Sequence, residues 1–220
     1  ILLAEILRKE NNVSDAIKAL NAAKKIDEFN SEIDYNLAIS YKTIKSFREA
    51  LVFIDDAVKK QPENKIYRIL KADILIDCFQ DEKAQELLLN LKFKKDSLLH
   101  FQSEILISKI FINQKNYKLA EEVLLELRKL FSKQKILYLN LSDLYFKSKE
   151  LEKGISILKE GIDHFPKFIP LRFNLGIMYR NLGFIRFVLF FLATNYIFFT
   201  IKTSTKIFFV WTIVFLIFIF

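Results

Sequence analysis

The sequence has little of what turns a chain back on itself. Four glycines and three prolines in 220 residues are too few for a turn-rich β architecture, which needs both at its corners. The single cysteine, Cys78, cannot form an internal disulfide. With two histidines it leaves no Cys/His cluster for structural zinc. No Gly-rich phosphate loop and no nucleophile with an adjacent base stands out, so the chain reads as non-enzymatic, with no cofactor and no metal expected. Acidic residues are missing after Asp163, where Lys167, Arg172, Arg180, Arg186, Lys202 and Lys206 lie. Six of the 34 basic residues are therefore in the tail, and the first 163 residues hold 28 cations against 26 acids. A body this balanced offers no basic stripe, so no nucleic-acid partner is expected. The opening ILLAEILRK has no basic region ahead of its apolar residues and is interrupted by Glu5. It reads as the inside of a helix rather than a secretory signal.

What the sequence does have is repetition. Small residues at Ala16, Ala50, Ala84, Ala120 and Gly154 are separated by 34, 34, 36 and 34 positions. A second series, Ala4, Ala38, Ala72, Ser108, Ser142 and Gly176, runs 34, 34, 36, 34 and 34. Both shift by two at one place, as a single insertion near residues 97–100 requires. Large apolar residues keep step: Leu20, Ile54, Leu88, Leu124 and Leu158 lie four positions after the first series. Leu7, Tyr41, Leu75, Phe111, Tyr145 and Tyr179 lie three after the second. Offsets of three and four stay on one helix face, so each unit reads as two amphipathic helices. The small residue marks where they cross closely, because one side must lack bulk for the other's Leu or Tyr to enter. Pro62 and Pro166 follow second helices, which they cannot continue.

LAISY (37–41), LSDLY (141–145) and LGIMY (175–179), with ALVFIDDAVKKQP (50–62), resemble the tetratricopeptide repeat family. Tyr138 stands where that family often has Trp. Lys71 at an apolar site, and Asp96 and Ser132 in place of the usual Pro, depart from the pattern. The resemblance covers residues 1–183, with units at about 1–30, 31–64, 65–100, 101–134 and 135–168 and a partial unit at 169–183. It implies an all-α fold, a right-handed superhelical solenoid of helix-turn-helix repeats followed by a hydrophobic helical C-terminal tail. In that family the first helices line a concave groove that binds a peptide, a partner helix or another subunit. The implied function is a protein-protein interaction scaffold with a protein or peptide partner. Two alternatives are the regulatory region of a larger enzyme and a membrane-anchored assembly factor.

Mapped onto this chain, the groove candidates are Tyr35, Asn36, Ile39, Lys42, Asp73, Asp77, Lys109, Asn140, Asp143, Lys147 and Asn174. Asn36, Asn140 and Asn174 share one repeat position, where an amide can donate to and accept from an extended backbone or serve the repeat's own packing. Asp73 and Asp77 occupy sites where the family's carboxylate clamps need cations, so binding of a C-terminal carboxylate is not expected. As two carboxylates on one helix face they read as an acidic patch in the groove. Reversing their charge is expected to weaken partner capture without unfolding the array.

The remaining candidates have plain readings: capping or dipole interaction for His164 at a helix end, a loop or helix start for His100, and small-residue packing for Cys78. Both ladders fail after Gly183. Residues 184–220 contain 11 Phe among 37 positions. The runs 187–201 and 207–220 are each shorter than the roughly 20 residues that span a bilayer. Two expectations stand side by side, a membrane hairpin or anchor and a non-native read-through. The repeat array itself is expected in the cytoplasm, joined to a membrane only through 184–220.

Overall fold

The structure, a computed structural model, describes residues 1–183. The tail 184–220, with the membrane and read-through expectations placed on it, lies outside the described residues. Among those described, no helix is long and apolar enough to cross a membrane. The described residues form α1 (Leu2–Lys9), α2 (Val13–Ile26), α3 (Ser31–Thr43), α4 (Phe47–Lys60), α5 (Lys65–Asp77), α6 (Asp81–Leu89), α7 (Leu98–Asn113), α8 (Tyr117–Leu130), α9 (Lys135–Lys147), α10 (Leu151–His164) and α11 (Ile169–Asn181). The chain divides into two compact units. Ile1–Phe131 carries α1–α8, and the unit from Ser132 carries α9–α11. Odd-numbered helices are the first helices of the hairpins and even-numbered ones the second.

Each hairpin turn is made the same way. The last residue before the second helix's N-cap adopts a left-handed backbone, at Asn11, Lys45, Phe79, Lys115 and Lys149, with φ between 58° and 65°. Gly183, with φ 72°, ends α11 alike. These positions form a third ladder, separated by 34, 34, 36, 34 and 34. The amide that follows each turn residue donates back into the last turn of the first helix, as Ser46 N–H to Tyr41 O at 2.9 Å and Gln80 N–H to Leu75 O at 2.9 Å. This satisfies carbonyls that the helix end leaves open.

The small residues are buried where the spacing places them. Ala4, Ala16, Ala38, Ala50, Ala72, Ala84, Ala120, Ser108 and Ser142 are at most 1% exposed. A Cβ on Gly154 would lie 2.6 Å from Met178 Cε and 3.3 Å from Tyr145 Cβ, so the missing side chain admits α11 and α9 together. Gly161 does the same for Tyr138, whose ring sits 3.0 Å from where its Cβ would be. Gly176 has no neighbour within 4 Å among the described residues. The two-residue insertion is absorbed at the start of α7, which has 16 residues against 13 in α3, α5, α9 and α11. His100 lies in that extra turn, where its amide donates to the Ser97 cap.

Candidate functional site

In the first unit the first helices bring one set of candidates together, by ion pairing. Lys42 Nζ on α3 lies 3.0 Å from Asp73 Oδ2 and 2.8 Å from Asp77 Oδ2 on α5. Lys109 Nζ on α7 lies 3.3 Å from Asp73 Oδ1. The i, i+4 spacing puts both aspartates on one face of α5, between the two cations. Burial works to lower the Lys42 pKa, but the hydrogen bonds and charges of Asp77 and Asp73 outweigh it and leave the pKa raised. The expected acidic patch is therefore neutralised by lysines of its own unit. Reversing Asp73 and Asp77 would therefore set like charges against Lys42 and Lys109.

Asn36 also departs from its assignment to the binding face. It is 2% exposed, and its Oδ1 accepts from Arg8 of α1 at 2.8 Å while its Nδ2 donates to Glu32 O at 2.9 Å. Arg8 further donates to Ser40 Oγ at 3.1 Å. Asn36 thus joins α1 to α3 and has no face left for a partner. Tyr35 stacks on Tyr67 with ring centroids 5.0 Å apart, and Ile39 is half-buried.

In the second unit the corresponding positions are open. Asp143 pairs with Lys147 on the same helix at 3.0 Å, both side chains being close to half exposed. Asn140 donates to Ile136 O at 2.8 Å, and Asn174 donates to Ser142 Oγ across to α9 at 3.2 Å. Between α9 and α11 lies a cleft of 200 Å³, lined by Ser142, Asp143, Phe146, Asn174, Ile177 and Met178. Phe146, Ile177 and Met178 were not singled out in the sequence. The Phe146 position holds Lys42, Ile76, Ile112 and Arg180 elsewhere and the Met178 position Ser40, Ile74, Ile110 and Leu144, so residue type gave no signal.

Three further polar contacts serve packing. Asp34 is fully buried between Lys24 Nζ (2.6 Å) and Lys60 Nζ (2.5 Å), which come from α2 and α4. Lys60 also donates to the Glu28 carbonyl. The fully buried Tyr138 places its hydroxyl 2.7 Å from His164 Nδ1 and 3.2 Å from Ser132 O. Lys71, the polar residue at an apolar repeat position, reaches Asp55 Oδ1 at 2.8 Å. Among the described residues no group of three or more His, Cys, Asp or Glu could hold a metal ion.

Stacked helical hairpins of 34 residues, with buried small residues at each crossing, define a helical-repeat protein, and the fold is that of the tetratricopeptide repeat. No protein-family profile matches the chain, and no curated protein matches it. Solved structures do. The thermophilic tetratricopeptide repeat protein TTC0263 of Thermus thermophilus superposes with a TM-score of 0.68 at 15% identity, covering 80% of this chain and 95% of that one. YrrB, described as a tetratricopeptide repeat protein with an unusual peptide-binding site, gives 0.52 at 16% identity over 78% and 87%. A human IFIT1 dimer with m7Gppp-AAAA gives 0.62 at 17% identity. That match covers 78% of this chain and 43% of the IFIT1 chain.

Proposed function

We propose that this protein is an interaction scaffold whose first-helix face takes up an extended peptide or protein segment. The observation that carries the reading is the open cleft between the first helices α9 and α11, where Phe146, Ile177 and the Asn174 amide stand together. Backbone-reading amides beside apolar surface suit a peptide. Nucleic acid is less favoured, because the first-helix cations Lys42 and Lys109 are already paired with Asp73 and Asp77.

Site-specific photocrosslinking tests this. A photoreactive residue at Ile39 or Asn140, on first helices, should trap a partner polypeptide, and one at Val52 or Glu126, on second helices, should not. Trapping confined to Val52 and Glu126, or trapping of RNA, would contradict the reading.

A further inference from the structure

Counting by the repeat, Ile39, Asp73, Lys109, Asp143 and Ile177 share one first-helix position, and Lys42, Ile76, Ile112, Phe146 and Arg180 another. In the first unit these positions hold the ion pairs of Lys42 with Asp73 and of Lys109 with Asp73, beside the buried Ile76 and Ile112, and Lys42 also reaches Asp77. In the second unit they hold Phe146 and Ile177, which meet Met178 in the cleft between α9 and α11. At 200 Å³ the cleft is below the roughly 300–1,000 Å³ of small-molecule sites and suits a single side chain. Phe146 remains 39% exposed at its wall.

We propose that this cleft is the anchor site for a partner peptide. It receives one aliphatic side chain of an extended segment whose neighbouring residue is lysine or arginine. The inference rests on the scaffold reading and names the partner's chemistry. The apolar wall selects the anchor. Among the described residues lining the cleft Asp143 alone is charged, and it selects the sign of the neighbour. Its present partner, Lys147, is on the same helix, and both side chains are about half exposed. Such a pair is weak and exchanges readily for a cation brought by a ligand. Asn174, joined to Ser142 across the cleft, is placed to meet the peptide backbone. The ion pairs of the first unit, by contrast, would have to be broken before Asp73 or Asp77 could serve a ligand.

The test uses the full chain and four synthetic peptides identical except for a central pair: Leu-Arg, Leu-Glu, Ser-Arg or Ser-Glu. Fluorescence anisotropy should show the Leu-Arg peptide binding tightest, by about tenfold over each of the others. Phe146→Ser and Ile177→Ser should abolish the advantage of leucine over serine, with helicity checked by circular dichroism. The double variant Asp143→Lys, Lys147→Asp keeps an intrahelical pair at the surface and should turn the preference to Leu-Glu. It decides the matter even if a cleft variant does not fold. Equal binding of Leu-Arg and Leu-Glu, or a preference unmoved by the double variant, would overturn the assignment. So would binding blocked by self-association of the chain, which would make a second copy the occupant. Peptides that bind and crosslink at Asn140 yet ignore these variants would sink the anchor site alone. No peptide binding together with no trapping from first-helix positions would sink the scaffold reading with it.

Discussion

Lys42 Nζ stands 2.8 Å from Asp77 Oδ2, so the second and third hairpins are joined through a half-buried charge on their first helices. Removing the lysine leaves Asp73 and Asp77 four residues apart on one face with only Lys109 to offset them. Lys42→Met should cost roughly 1–2 kcal/mol, between the values for exposed and buried pairs. The raised Lys42 pKa fixes the pH dependence. Its contribution is fully present below the ordinary lysine value of 10.5 and is lost as pH rises through the higher folded value. Urea unfolding should show the difference between the variant and the wild type shrinking as pH rises beyond the ordinary lysine value of 10.5.

Asp34 is the deeper case. It is fully buried with Lys24 and Lys60 closing on opposite oxygens, and removing it leaves Lys24 with only Asp56 at 3.7 Å and Lys60 with only the Glu28 carbonyl. Asp34→Ala should lose about 3 kcal/mol of unfolding free energy. A loss under about 0.5 kcal/mol, the scale of an exposed pair, would show that the lysines turn to solvent without cost.

Phe79 is an aromatic residue with φ 58° and 91% exposure, so it has backbone strain and little packing in return. A left-handed residue with a Cβ costs roughly 1–2 kcal/mol, and glycine gives back part of the difference through unfolded-state entropy. Phe79→Gly should therefore stabilise by roughly 0.5–1 kcal/mol, read as a rise in Tm.

The two buried glycines should respond differently to alanine. At Gly154 the closest obstacle is the flexible end of Met178, which can swing aside while alanine favours the helix. At Gly161 three atoms of Tyr138 lie at 3.0 Å, and that side chain is fully buried. Thermal melts should find Gly154→Ala near neutral and Gly161→Ala destabilising by roughly 1–3 kcal/mol.

Burial raises the Glu104 pKa above its ordinary 4.5, with His100 opposing and Glu126 adding to the rise. A raised carboxyl stabilises the fold only when protonated, and that contribution is lost as pH rises through the folded value. Glu104→Gln should therefore raise Tm at pH 7, with the advantage shrinking as pH falls towards and below the ordinary 4.5.

Much of this fold was legible because the crossing points demand a residue type. Nothing larger than Ala, Ser or Gly fits at Ala38, Ala50 or Gly154, so the 34-residue rhythm is written in the sequence. The turns were not legible. Asn, Lys and Phe all stand at the left-handed position, because backbone hydrogen bonds, not a residue preference, hold it there. The candidate face was half legible. Spacing placed Lys42, Asp73, Asp77 and Lys109 on adjacent first helices, but whether their charges meet each other or a partner depends on distances between helices. Asn36, Asn140 and Asn174 share a repeat position, and Asn36 and Asn140 both donate to the carbonyl four residues back, but Asn36 also accepts from Arg8 and Asn174 donates to Ser142 instead. Phe146 went unnoticed because an apolar residue in a repeat helix reads as core, and only its exposure beside the cleft separates it from buried Met178.

The most direct measurement of the central claim is methyl NMR of the chain titrated with the Leu-Arg peptide. The account predicts a shift at Ile177, in the cleft between α9 and α11, and none at Val52 on the second helix α4. Shifts at Val52 with Ile177 unmoved would contradict it.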